Sequence, residues 1–329
     1  MFESDNWGLL DNWVTAQVNL PLDTITWAPD YSVVNLGKLE LTPRAFKHYR
    51  TTAAQRIAST MGNRIALAVS GGADSQAMIQ SFIEADIDVE LTHLTFKNNY
   101  NQHDTEFAVQ TAKRFNLPIN LIELDAFSFL HHQLSEYADR YQCSSPQFAC
   151  HHWYYEQLIA QGYTGVVAGG DAWTPTEDSW TWAVTGPRHS WLTFGQVNNW
   201  PIMGNFLASS WQLNLALACC YGRRDWFRQS KDIDQVGYMS RETIKERYPE
   251  KLKSYARFGF NINPQANKFT GFEKIKDYFT ATTGDHWAFE KRFRWPLLNK
   301  WKGLDPTLVL TDEFNTELNQ LHREYSASW

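Results

Sequence analysis

"IALAVSGGADSQAMIQ", residues 65–80, sets an apolar run against two adjacent glycines flanked by serines and then resumes a helical spacing. Ile65 to Val69 reads as a short buried strand, and Ala77, Met78, Phe82 and Ile83 recur at helical steps after it. The glycines therefore lie between a strand's carboxyl end and a helix's amino end. In an α/β sheet that is where anions bind, because glycine lets successive main-chain N–H groups converge and the helix adds its positive end. Gly71, Gly72, Ala73 and Asp74 supply those amides, and Ser70 and Ser75 supply hydroxyls. A positive φ is expected at Gly72.

Outward from this turn the pattern alternates regularly. The expected order is strand 65–69, helix 75–84, strand "DVELTHLTF", helix 104–115, strand "INLIEL", helix 127–140, helix 147–161 and strand "GVVAGG". Strands separated by helices of this length imply right-handed crossovers and a parallel sheet covered on both faces, so the fold class is α/β. Upstream, Thr42 offers an N-cap and Pro43 a first-turn proline for an amphipathic helix ending near Gly62. Residues 1–41 are aromatic and irregular, with a strand expected around "YSVVNLGKLEL". Three regions result: a lead-in segment and helix over 1–60, the α/β domain over 61–220, and a mainly helical region over 221–329.

Composition narrows the classes of function. Of 329 residues, 43% are hydrophobic and 20% charged, which is globular rather than disordered composition. A net charge of −6 leaves nucleic-acid binding possible but does not favour it. No apolar stretch approaches the roughly 20 residues that span a bilayer, and the acidic start lacks the basic region of a secretory signal, so a cytoplasmic protein is expected. Four cysteines, Cys143, Cys150, Cys219 and Cys220, are too few for a disulfide framework. "CSSPQFACHH" admits two readings: a metal site of Cys143, Cys150, His151 and His152, or buried thiols beside a helix start. The vicinal Cys219 and Cys220 read as core packing.

The turn is not a Walker loop, because no Gly-Lys-Ser/Thr string occurs, and it lacks the third glycine of a dinucleotide fingerprint. "SGGADS" instead resembles the pyrophosphate loop of the ATP pyrophosphatase (PP-loop) superfamily, whose members cleave ATP to AMP and pyrophosphate. "LTHLTFKNNYNQHDTEFAVQTAKRFNLPINLIELD" and "PQFACHHWYYEQLIAQGYTGVVAGGDA" are similar to the following segments of asparagine synthetase-type domains, whose second glycine-rich turn faces the pyrophosphate and helps hold magnesium. That similarity covers about residues 60–220, and the family's longer acidic string is shortened here to "GGDA".

The resemblance implies an adenine nucleotide alpha-hydrolase-like domain that binds ATP and Mg2+. Ser70, Gly71, Gly72, Ala73, Asp74, Ser75, Gly169 and Gly170 would hold the nucleotide, and Asp74 and Asp171 would hold the metal. Family members also bring a basic residue of the carboxy-terminal part over the phosphates. Lys268 and Lys274 are the candidates carried forward with Asp171 as catalytic groups, and Lys276 and Arg257 lie in the same stretch.

The implied activity is an AMP-forming ligase acting on a small-molecule acceptor and an amine donor, with no glutaminase domain. Nucleoside or tRNA modification, and a silent nucleotide-binding module, are the alternatives. The tryptophans at 173, 180, 182, 191 and 200 read either as pocket walls or as packing. An exposed Asp74 at a helix start would tolerate Asn at a stability cost of no more than about 1 kcal/mol.

Overall fold

A computed structural model of the chain describes residues 2–3, 15–19, 26–30, 42–170, 181–183, 186–209, 213, 249, 251–265, 271–300 and 307–309. Three short strands, β1 (Phe2–Glu3), β2 (Thr15–Asn19) and β3 (Thr26–Asp30), form an antiparallel sheet. The strand expected near 31–41 lies outside the described residues. Helix α1 (Pro43–Met61) begins as its caps dictate: the Thr42 hydroxyl accepts from the Ala45 amide at 3.1 Å, Pro43 opens the first turn, and Gly62 ends the helix at φ 88°.

The central sheet has five parallel strands: β4 (Ile65–Ala68), β5 (Glu90–Phe96), β6 (Ile119–Leu124), β7 (Gly165–Ala168) and β9 (Ile202–Met203). Their order is β6-β5-β4-β7-β9. Counting the five in sequence, this is 3-2-1-4-5, a doubly wound sheet whose direction of growth reverses between β4 and β7. Two further strands, β8 (Thr181–Ala183) and β10 (Thr307–Val309), pair antiparallel to each other.

Side chains alternate across the sheet and define two cores. Ile65, Leu67 and Val69 of the β4 strand and its extension, with Val167 and Met203, pack with α1, α2 (Ala73–Glu84) and α3 (Gln102–Phe115). Ala66, Val166 and Ile202 face α4 (Ala126–His132), α5 (Leu134–Tyr141), α6 (Pro146–Ala160) and α7 (Gly186–Asn198). Burial of both faces is why β4 and β7 read as continuous apolar runs rather than as an alternating pattern. The single helix expected over 127–140 is two, because Gln133 leaves the helical region at φ −121° and serves as the C-cap of α4 and the N-cap of α5.

The carboxy-terminal part divides between the two cores. Helical residues 251–257 and the irregular stretch to 265 lie on the α1/α2 side, with Tyr255, Phe258 and Phe260 buried there and Phe258 stacked on Phe46 at 4.1 Å. The helix Phe272–Thr283 buries Phe272, Ile275 and Phe279 in the other core.

Candidate functional site

The site grows from the end of β4. Val69 continues the ladder through its amide, 2.9 Å from the Thr92 carbonyl. Its own carbonyl lies 2.6 Å from Nδ1 of the buried His93, so that nitrogen carries the proton and Nε2 is left to accept from the Thr105 hydroxyl at 3.2 Å. Burial pulls the His93 pKa down to about 4, so the ring is neutral at physiological pH.

Gly71 then takes φ 72°, and any Cβ there would stand 2.5 Å from the Phe107 carbonyl carbon and 2.8 Å from the Ala108 nitrogen. Backbone of α3 blocks every other residue type. The positive φ expected at Gly72 is found at Gly71, because Gly72 is extended (φ −68°, ψ 171°) and forms the N-cap of α2. As glycine it offers no side chain to cap the helix, and no side-chain cap bond is made at the start of α2. The two serines close the turn on itself: the Ser70 amide donates to the Ser75 hydroxyl at 3.1 Å, and the two hydroxyl oxygens are 3.3 Å apart.

The second glycine turn lies against the first. β4 and β7 are paired from Ile65 with Gly165 to Ala68 with Ala168, so Gly169 emerges level with the loop. A Cβ on Gly169 would sit 2.8 Å from the Ser75 nitrogen and 2.9 Å from the Asp74 carbonyl carbon. Gly170 has φ 58° and approaches Asn205 so closely that a Cβ would be 2.5 Å from its side-chain amide. Asp171 follows outside the described residues.

Asp74 stands at the mouth of this arrangement but is not an isolated carboxylate. Lys251 Nζ lies 2.8 Å from Oδ1 and 2.9 Å from Oδ2, and the Tyr255 hydroxyl donates to Oδ1. Both ion-pair partners are mostly buried. Lys251 and Tyr255 are four residues apart on one helix, so they present together on one face. The segment is pinned to α1 and α2 by the buried Arg50, which pairs with both Glu84 oxygens and donates to the Phe258 carbonyl at 2.7 Å.

Of the cations selected from sequence, the described lysines sit on another element. Lys268 is outside the described residues. Lys274 is exposed on the helix Phe272–Thr283, Lys276 pairs with Glu290, and Arg257 is exposed. Sequence reasoning missed Lys251, which sits in the charged string "YPEKLKSYARF" with nothing local to separate it from Lys253. Among the tryptophans, Trp200 is packing: it is buried and its Nε1 donates to the Tyr163 carbonyl at 2.9 Å. Trp191 is half-buried beside Phe148 and covers Gly204.

The readings at "CSSPQFACHH" separate on burial. Cys143 and Cys150 are both fully buried free thiols, and burial pushes the Cys143 thiol up to about 12 and Cys150 well above its ordinary value. Neither is a thiolate at neutral pH. His152 stacks on Phe194 at 5.4 Å. Among the described residues no group of three or more cysteine, histidine or acidic side chains gathers as a metal cage. Cys219 and Cys220 lie outside the described residues.

No family model matches the chain, and no curated protein matches it. Solved structures do. The chain is similar to NMN synthetase from Francisella tularensis at 12% identity and TM-score 0.32, over 68% of this chain and 99% of that one. The U34-tRNA thiolase NcsA from Methanococcus maripaludis, with its [4Fe-4S] cluster, matches at 10% identity and TM-score 0.32 over 79% of each chain. A glutamine-dependent NAD+ synthetase from Acinetobacter baumannii, in complex with ADP, matches at 13% identity and TM-score 0.35, over 91% of this chain and 48% of that one. The α/β fold expected from the resemblance to the ATP pyrophosphatase superfamily is the fold observed. No helix of the described residues is long and apolar enough to cross a membrane.

Proposed function

We propose that this chain binds ATP with its phosphates on the Ser70–Ser75 turn and is an AMP-forming, magnesium-dependent ligase. The observation that carries this reading is the apposition of two glycine turns, Gly71–Gly72 and Gly169–Gly170, at the point where the sheet reverses its order. Ligands of doubly wound sheets bind there, and backbone this close to backbone leaves amides rather than side chains to meet a phosphate. The turn carries no Walker Gly-Lys-Ser/Thr ending, so in this reading its phosphate contacts come from main-chain amides and the two serines.

In the reaction we infer, a carboxylate or carbonyl oxygen of a small-molecule acceptor attacks the α-phosphorus, the bond to the β-phosphate oxygen breaks, and pyrophosphate leaves. A nitrogen nucleophile then attacks the activated carbon, and AMP departs with the acceptor's oxygen. Charge develops on pyrophosphate as it leaves, so the groups that matter are donors and cations preset around it. The amides at the start of α2 and Lys251 fill that role in this reading. Asp74 and Asp171 would hold Mg2+, which supplies charge neutralisation on the phosphate oxygens. Asp74 suits a hard cation by its oxygen chemistry, and Mg2+ would take the place that the Lys251 ammonium now holds against both carboxylate oxygens.

Thiolation by the described cysteines is disfavoured, because both are buried and neutral. The pairing of Asp74 with Lys251 favours a second reading, a nucleotide-binding module without turnover. The deciding experiment incubates the full chain with ATP labelled in the α-phosphate, Mg2+ and panels of carboxylic acids and amines. Acceptor-dependent AMP and pyrophosphate support the ligase. ADP formation overturns it, and tight ATP binding by calorimetry without AMP from any pair supports the silent module.

A further inference from the structure

We propose that Gln76 is the positioning residue that presets the phosphate-binding turn, by holding the Gly71 carbonyl so that the Gly72 amide faces a bound phosphate, and that it ties this setting to segment 251–265. The proposal rests on the ATP reading above and adds to it a residue outside the string that carries the resemblance, which ends at Ser75.

Gln76 is buried, and its amide uses both donors and both acceptor positions. Nε2 donates to the Gly71 carbonyl at 2.9 Å and to the Asn263 carbonyl at 2.8 Å. Oε1 accepts from the Asn263 amide at 2.8 Å and from Arg114 Nη1 at 2.7 Å. The reciprocal pair with Asn263 removes any ambiguity in the orientation of the side-chain amide. A backbone N–H can only donate and a backbone carbonyl can only accept, so a flipped Gln76 would oppose donor to donor and acceptor to acceptor. The Gly71 carbonyl therefore meets an N–H and is held there.

The consequence passes through one peptide plane. In a trans peptide the carbonyl and the following N–H point in opposite directions, and no cis bond occurs among the described residues. With the Gly71 oxygen turned to Gln76, the Gly72 amide is turned away from it, at the start of a helix that no side chain caps. The opposite setting of this peptide would aim a carbonyl oxygen at an anion. Gly71 at φ 72° has the freedom to adopt either, so the turn needs an outside group to choose.

Gln76 also reaches the segment that carries Lys251. Arg114 Nη2 bonds the Asn261 carbonyl at 2.8 Å while Nη1 holds Gln76, and Gln80 Oε1 accepts from the Asn261 amide at 3.0 Å, so Gln76 is one of the side chains that fasten residues 261–263 to α2 and α3. The orientation of the loop peptide and the placement of the segment delivering Lys251 and Tyr255 to Asp74 thus have Gln76 in common, with Arg50 and Gln80 holding the segment beside it.

The test uses the full chain and two probes, inorganic pyrophosphate with Mg2+ and adenosine, each titrated by calorimetry. Gln76→Glu removes both donors at nearly constant size. The expected result is at least a tenfold loss of pyrophosphate affinity with adenosine affinity within twofold. Arg114→Met takes another bond from Gln76 but leaves the Gly71 contact, and it should keep pyrophosphate affinity within threefold whatever it does to thermal stability. A folded Gln76→Glu protein with unchanged pyrophosphate affinity overturns the proposal, as does an equal loss for both probes. If Gln76→Glu does not fold, the Gly72 amide proton of the unchanged protein decides: a large downfield shift on adding pyrophosphate supports the proposal, and none overturns it. Failure of the unchanged protein to bind pyrophosphate would instead remove the ATP reading itself.

Discussion

His93 shows how one side chain can serve both a loop and the acid stability of the protein. Its Nδ1 proton is committed to Val69, the residue before the turn, and burial pulls its pKa from 6.5 down to about 4. In the unfolded chain the ring takes up a proton near pH 6.5, and in the folded chain only near 4. Between those values the unfolded state holds the extra proton, so stability is full above 6.5 and falls as pH drops through the window, by on the order of 3 kcal/mol for this residue. His151 is pulled down to about 4 as well, and His152 is lowered, so both add to the same limb. In His93→Gln, urea midpoints measured from pH 7 to 4 should show an acid limb shallower by about one proton. A limb as steep as that of the unchanged protein would contradict a buried neutral His93.

At the scale of elements, the two glycine turns matter because they let helix and strand approach without side chains between them. Gly169 places β7's extension directly on the backbone of α2 at Asp74 and Ser75. Gly169→Ala sets a methyl group against atoms that cannot rotate away, and is expected to cost about 2 kcal/mol as overpacking and to weaken pyrophosphate binding. Gly284→Ala is the contrasting change. Its φ is 69° but nothing lies within 4 Å, so it should cost about 1 kcal/mol of backbone strain and leave binding alone. Denaturant unfolding and pyrophosphate titration of the two variants separate these effects.

Across the whole molecule, Asp74 joins parts of the chain 177 residues apart through Lys251 and 181 apart through Tyr255. This changes what its substitution should do. Asp74→Asn keeps the size of the side chain and its place at the start of α2, but it takes the carboxylate from Lys251 and Tyr255. The expected loss of stability is about 1–3 kcal/mol, more than the exposed helix start read from sequence would lose. AMP formation should fall about a hundredfold if the same carboxylate also carries magnesium beside the leaving group. Unfolding curves and a magnesium titration of activity, run on the same preparation, check both. An unaltered magnesium dependence would remove the metal role from this residue and leave the site to amides and Lys251.

The local pattern was enough for the sheet strands 65–68, 119–124 and 165–168 and for the helix between Thr42 and Gly62, because burial on two faces and helix caps leave marks in neighbouring residues. It also marked the Ser70–Ser75 turn between β4 and α2 as the candidate phosphate site, since a glycine pair after a buried strand has few other uses. It did not say which glycine carries the positive φ, for that depends on how closely α3 backs onto Gly71. Nor did it show β9, whose two residues become a strand only through the ladder to Val166 and Val167. Lys251, Tyr255 and Gln76 were illegible for the same reason. The Asp74 partners and the Gln76–Asn263 pair span about 180 residues, and Gln76 also meets Arg114 on the neighbouring α3; hydrogen bonds of that kind depend on where the folded chain returns, which no periodicity in the sequence records.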